Sequence, residues 1–213
     1  MKMTRLPPDL RASLLEERRR DREAARVFVR VCAEGDAGSL DNAARQLDAG
    51  GDAWCFACIR IAKLPRVSAE IRKAFVPIWV EHKMLPLRVG GRRVLADALR
   101  VLLPGGYSGP PLTVYRGTNN HERRRRVYGF SWTTDVAVAR RFAEKWAKPL
   151  PAVGTSPRDQ GVVLQTSVPR EAVLLIRKPG DYYIRNPGNY YDEGEVVVDP
   201  FRLGRIKVVE RLT

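Results

Sequence analysis

Cysteine and long apolar runs are scarce in this chain of 213 residues, and each scarcity excludes a class of protein. Three cysteines are too few for the disulfide framework of a small secreted domain. No apolar run approaches the roughly 18 residues of a membrane span, and no apolar signal segment opens the chain. We therefore expect a cytoplasmic protein without a membrane partner, and delivery into another cell is compatible with the same sequence.

A metal site is also disfavoured by the few cysteines. Cys55 and Cys58 form a CxxC pair, and Cys32 and His82 are the residues that would complete a zinc site. However, the pair lies among apolar residues, and helical spacing places both thiols on one face. We expect core thiols and no metal.

An excess of Lys and Arg (38) over Asp and Glu (24) gives a net charge of +14 and a pI near 10.3. Residues 1–110 and 111–213 each carry +7, so the excess is spread over the chain. A basic protein attracts RNA, DNA or an acidic partner. A solvated, arginine-rich surface explains the charge equally well.

Apolar residues at helical spacing fill the first 104 residues and predict a helical region. The predicted helices begin near Pro7, Ser39, Asp52, Ser68 and Arg93. Pro77 either kinks the fourth of them or marks its true start.

Alternating and β-branched segments follow and predict strands. The predicted strands cover 112–116, 127–133, 161–168, 172–177, 195–198 and 205–211. One helix, capped by Thr134 or Asp135, interrupts them. The fold class is α+β, with a helical region at 1–107 and a β-rich region at 108–213.

Three segments place polar residues where a strand is usually apolar. Arg116 ends the first strand, and Gly117 follows it. A guanidinium is a planar fork of donors that suits a pyrophosphate. A surface or salt-bridged arginine is the plainer interpretation.

The second segment carries two hydroxyls on one face of a strand. Ser131 and Thr133 alternate with Phe130 and Trp132. Such hydroxyls can hold a carboxylate or a ligand ribose, although ordinary Ser/Thr ladders also occur in sheets.

The third segment carries two carboxylates, Glu193 and Glu195, next to an apolar run. Alternate positions place them on one side of the backbone, close enough to repel. Such pairs take separate roles because their pKa values are pushed apart. Two surface glutamates at a strand start are the alternative.

In this order the three elements resemble the ADP-ribosyltransferases of the Arg-Ser-Glu type, over about residues 110–213. The resemblance implies a β-rich core of two small antiparallel or mixed sheets around an NAD cleft, with the helical region packed on it. NAD would be the co-substrate, and no metal is implied.

The resemblance also implies a role for each residue. The NAD-binding residues would be Arg116, Gly117, Ser131, Trp132, Thr133 and Glu195. Ser131-Trp132-Thr133 departs from the family's Ser-Thr-Ser element. Glu195 would stabilise the positive charge that develops on the ribose, Ser131 would orient Glu195, and Glu193 would hold or deprotonate the acceptor.

The family's acceptor-recognising loop corresponds to the segment before the carboxylates. Tyr190 and Tyr191 would stack on a base or an arginine, with Arg185 and Asn189 beside them. A packed hairpin end is an equal alternative for these tyrosines. Residues 148–160 correspond to a loop near the nicotinamide. The arginine run at 121–126 is a polyanion contact or a solvated loop.

We expect mono-ADP-ribosyl transfer from NAD to a macromolecule. The Glu-x-Glu pair slightly favours a protein arginine, and the charge favours RNA or DNA. An NAD glycohydrolase toxin and a non-catalytic nucleic-acid-binding module are the alternatives. A toxin with an antitoxin or inhibitor partner, a phage protein and a delivered effector all fit the sequence.

Overall fold

The structure is a computed structural model that describes residues 7–82, 84–147, 160–177 and 194–212, without the side chains of 146 and 147. The chain divides into two compact units, Met1–Pro104 and Gly105–Thr213. The sequence predicted a boundary between residues 107 and 108.

The described part of the first unit consists of helices. They are α1 (Pro8–Glu34), α2 (Leu40–Asp48), α3 (Ala53–Ile61), α4 (Ala69–Glu81), α5 (Leu85–Val89) and α6 (Arg92–Leu102). The five predicted helices are confirmed, and the short helix α5 was not predicted. α1 ends because Gly35 takes a left-handed φ of 79° and its N–H donates to the Val31 carbonyl at 3.1 Å.

Pro77 lies inside α4. The helix begins eight residues earlier, where the Ser68 hydroxyl accepts a hydrogen bond from the Ile71 N–H at 3.2 Å. The interpretation of Pro77 as the start of the helix is therefore wrong. The side-chain cap explains why the helix begins at Ala69 instead.

The core of the first unit contains an aromatic contact between α1 and α3. The rings of Phe28 and Trp54 meet edge to face, with centroids 5.5 Å apart. The indole N–H of Trp54 donates to Asp48 Oδ1 at 2.8 Å, which satisfies its polar group. Across the described residues, no helix is both long enough and apolar enough for a membrane span.

The thiols of the first unit follow the predicted packing in part. Cys32 and Cys58 are buried, and burial raises the pKa of each to about 12. Cys55 is only half-buried. Residues three apart on a helix differ by about 60° in direction, so the edge of the core passes between Cys55 and Cys58. The described residues contain no group of three His, Cys, Asp or Glu able to hold a metal ion.

The described strands of the second unit form one antiparallel sheet. They are β1 (Leu112–Asn119), β2 (Ser131–Thr133), β3 (Gly161–Val168), β4 (Val173–Ile176), β5 (Glu195–Val198) and β6 (Lys207–Arg211), in the order β4-β5-β2-β1-β3-β6. Two helices accompany them, α7 (Asn120–Arg125) and α8 (Val136–Ala147). The resemblance implied two small sheets. Because β2 pairs with both β1 and β5, the described strands are continuous across the sheet instead.

Helix α8 lies directly on one face of this sheet. Asp135 caps the helix by accepting a hydrogen bond from the Ala137 N–H at 2.7 Å. A Cβ at Gly117 would overlap the main-chain oxygen of Ala139, and one at Gly161 would overlap that of Ala143. The two glycines therefore allow the helix backbone to approach β1 and β3 closely. The other face carries a buried apolar cluster that includes Val114, Trp132, Leu164 and Val196.

We predict that Gly117→Ala destabilises the second unit by about 1–3 kcal/mol, because the added methyl group must push the α8 backbone away from β1. Urea unfolding measures the loss. Gly38→Ala is the matched control, since its Cβ would meet only the Asp36 carboxylate at 3.5 Å. Equal stability of the two variants would contradict the close approach of α8.

We predict that Cys32 and Cys58 resist a thiol reagent in the folded protein at pH 8. The thiolate is the reactive form, and a pKa near 12 leaves almost none of it at that pH. Titration with a chromogenic disulfide should label at most Cys55 before denaturation and three thiols after it. Fast reaction of all three in the folded protein would refute the described burial.

Candidate functional site

The sheet places the three polar segments on neighbouring strands, although Arg116 and Glu195 are almost eighty residues apart in sequence. Arg116 is on β1, Ser131 and Thr133 are on β2, and Glu195 opens β5. Since β2 lies between the other two strands, it brings them together. Thr133 is the register partner of both Tyr115 and Glu195.

A row of polar residues crosses this part of the sheet. Arg177 follows β4 and its N–H donates to the Glu195 carbonyl at 2.8 Å, which continues the ladder between β4 and β5. Thr133 and Tyr115 come next, and Gln165 on β3 pairs with Tyr115. Directly paired residues of antiparallel strands point to the same face. We call these five residues the polar row.

The carboxylate of Glu195 is held by an arginine within the polar row. Arg177 Nη1 donates to Glu195 Oε2 at 3.0 Å. The two side chains are 11% and 12% exposed, so water screens their attraction little. Arg177 received no role from the sequence, where it only ends an apolar strand. Arg177 becomes the partner of Glu195 only through the order of the strands, and no local sequence pattern reveals that order.

Arg116 makes different contacts. Its Nη1 donates to the Ser131 carbonyl at 2.8 Å, and its Nη2 lies 3.4 Å from Glu122 Oε2. A Cβ at Gly129 would be 2.7 Å from Arg116 Nη2, so this glycine leaves room for the guanidinium. Arg116 follows Tyr115 in β1, so strand alternation places its side chain on the opposite face of the sheet from the polar row. The salt bridge that was the plainer expectation for Arg116 is present.

Glu122 is a second residue that the sequence analysis did not single out. It accepts a hydrogen bond from the Thr118 hydroxyl at 2.5 Å in addition to its contact with Arg116. Its N–H donates to Asn119 Oδ1 at 2.8 Å, which caps α7. Residues 121–125 of the arginine run therefore belong to the short helix α7. The spacing of Asn119 and Glu122 resembles a capping box and was the available signal.

The hydroxyl segment divides its roles among three residues. Trp132 is a core residue, 2% exposed, whose indole N–H donates to the Gly129 carbonyl at 3.1 Å. Thr133 is buried beside Glu195, and its hydroxyl accepts a hydrogen bond from the Asp135 N–H at 3.1 Å. Ser131 lies opposite Val197, two pairs further along β2. In register, Thr133 is thus closer to Glu195 than Ser131 is.

The glycine between the two glutamates also has a structural role. Gly194 has a left-handed φ of 50°, a conformation that favours glycine. Its position lies against two hydroxyls, because an added Cβ would be 3.4 Å from Thr134 Oγ1 and 3.8 Å from Thr133 Oγ1. The chain therefore turns at Gly194 and enters β5 beside the end of β2.

Several predicted site residues lie outside the described residues. They are Glu193, Tyr190, Tyr191, Arg185 and Asn189, together with residues 148–159 of the predicted nicotinamide loop. Their roles stay predictions.

A groove of about 550 Å³ on the helical unit contains none of the three motif segments. Glu16, Glu17 and Arg20 of α1 line one side of it. Asp21 is buried at its edge and accepts a hydrogen bond from the Asp52 N–H at 2.8 Å. This bond gives the buried carboxylate a structural role at the start of α3.

The comparisons with known proteins add no relative. No protein-family model matches the chain, and neither a curated protein nor a solved structure matches it. The resemblance to the ADP-ribosyltransferases therefore rests on the motif residues of the sequence.

Proposed function

We propose that this chain is a mono-ADP-ribosyltransferase that cleaves the bond between nicotinamide and ribose in NAD and transfers ADP-ribose to a macromolecule. One observation carries the proposal. The strand order β5-β2-β1 brings the Glu, Ser/Thr and Arg segments side by side, with Thr133 paired to Glu195. Nothing in the local sequence requires segments so far apart to become neighbours.

One guanidinium supports an anionic, hydroxyl-rich ligand such as NAD. Arg116 carries a buried Nε that has no hydrogen-bond partner among the described residues, a feature it shares with Arg177 and with Arg72 of the helical unit. A buried donor without a partner costs free energy, so such donors commonly serve a ligand or water. The donors suit phosphate and ribose oxygens, and the carboxylate of Glu195 suits a ribose hydroxyl.

The residues divide the work of the proposed reaction. Glu195 accepts a hydrogen bond from a ribose hydroxyl on the face of the polar row, while Arg116, on the opposite face, binds phosphate oxygens. One NAD molecule would reach both side chains by passing round the end of β2, because β2 pairs with β1 only at Thr133 and Tyr115. As the bond to nicotinamide breaks, its electron pair leaves with nicotinamide and positive charge grows on the ribose. The negative charge of Glu195 stabilises that charge, and its low exposure strengthens the effect. Glu193 takes the proton of the acceptor as the acceptor bonds to the ribose carbon.

Two observations point to different acceptors. The Glu193-Gly194-Glu195 pattern favours a protein arginine, as the resemblance implies. The net charge of +14 and the arginines of α7, which directly follows the strand of Arg116, favour RNA or DNA. Both acceptors stay within the proposal.

We predict that Glu195→Gln lowers the rate of nicotinamide release by about 10²–10³-fold, because it removes the charge that stabilises the transition state. NAD affinity should change little, since the amide keeps the shape and one acceptor oxygen. Labelled NAD is incubated with each variant and a cell lysate, and release is followed by chromatography. Glu210→Gln is the matched control, as Glu210 is on β6 of the same sheet and pairs with the exposed Arg140.

The products of the same incubation distinguish the acceptors. Label that a protease removes identifies a protein acceptor, and label that a nuclease removes identifies a nucleic acid. Nicotinamide release without attached label would make the chain an NAD glycohydrolase. Equal release by wild type and Glu195→Gln, or none by wild type, would refute the proposal.

A further inference from the structure

The ion pair of Arg177 and Glu195 is an unusual feature of the sheet. Val196, Val197 and Val198 follow Glu195 and are fully buried, and β4 before Arg177 is apolar throughout. Removing two charges from water costs more than their attraction often returns, and apolar replacements are frequently as stable. Stability alone therefore gives little reason for this pair.

One main-chain and one side-chain hydrogen bond hold the pair together. The Arg177 N–H donates to the Glu195 carbonyl at 2.8 Å, and its Nη1 donates to the same residue's Oε2 at 3.0 Å. The main-chain bond sets the distance between the strands, and the side-chain bond then sets the direction of the carboxylate. A carboxylate has two oxygens, so a donor on Oε2 still allows Oε1 to accept a hydrogen bond from a ligand.

Two hydroxyl residues of β2 lie on the same face of the sheet as Glu195. Its register partner Thr133 uses its hydroxyl to accept a hydrogen bond from the Asp135 N–H. Ser131 lies two pairs further along β2, opposite Val197. Among the described residues, Arg177 contacts the carboxylate of Glu195 directly, through Oε2.

We infer that Arg177 is the positioning residue of the proposed active site: it orients the carboxylate of Glu195 through Oε2 so that Oε1 receives the ribose hydroxyl. This inference rests on the proposed function. Arg177 acts through Glu195, so its loss lowers kcat and leaves the KM for NAD nearly unchanged. Loss of an arginine that bound NAD phosphate directly would raise the KM for NAD instead.

The test uses the full chain with three substitutions at one position. Arg177→Ala should lower kcat at least tenfold, and Arg177→Lys should retain more activity because it keeps the charge without the fork. Guanidinium ion at millimolar concentration should restore part of the kcat of Arg177→Ala and none of that of Arg177→Met, whose side chain fills the space. A purely structural role would not give this rescue.

Two controls separate folding from positioning. Arg140→Ala removes the exposed arginine that pairs with Glu210 and should keep wild-type kcat with or without guanidinium. The double variant Arg177→Met/Glu195→Gln removes both buried charges. It should unfold at a higher urea concentration than Arg177→Met alone, which shows that the cost of that substitution is an unpaired carboxylate.

The outcomes distinguish this inference from the proposed function. If wild type cleaves NAD and Glu195→Gln does not, yet Arg177→Ala keeps wild-type kcat, only the positioning role is refuted. A raised KM with unchanged kcat would also refute it, in favour of phosphate binding. If wild type does not cleave NAD at all, the proposed function has failed first.

Discussion

The pairing of the short strand β2 with both of its neighbours is the constraint on which the candidate site depends. β2 has three residues, Ser131–Thr133, and each of them pairs with a residue of β5. Thr133 also pairs with Tyr115 of β1. Without this strand, the β4-β5 pair and the β1-β3-β6 group would be separate ladders, and Arg116 and Glu195 would have no defined relation.

Two opposite requirements meet around β2. The sheet needs apolar residues on both faces to bind α8 on one side and the apolar cluster on the other, and Trp132 supplies one of them. The proposed chemistry needs a carboxylate in surroundings of low polarity, where its charge acts most strongly. The contact between Arg177 and Glu195 reconciles the two, because a paired carboxylate is tolerated where an unpaired one would be expelled or neutralised.

The sequence predicted those elements whose signals are local. The bounds of β3 and β5 agree with the predicted segments, and α1 begins and ends where its proline and glycine indicated. β2 was predicted four residues too long. The Val127 N–H closes the end of α7 by donating to the Glu122 carbonyl, so the first residues of that segment belong to the helix end and its turn. A hydrogen bond to the preceding turn is not visible in a pattern of apolar residues.

The candidate site could be proposed from sequence only where one segment contained the signal. Arg116, Thr133 and Glu195 were predicted because each stands out in its own strand, whereas Arg177 gains significance only from the order of the strands. The most direct test of the account is the binding of NAD, which needs no knowledge of the acceptor. Isothermal titration calorimetry with wild type and Arg116→Met should show saturable binding at one site that weakens at least fivefold in the variant. The absence of binding to wild type, or equal affinity for both proteins, would contradict the central claim that these strands form an NAD site.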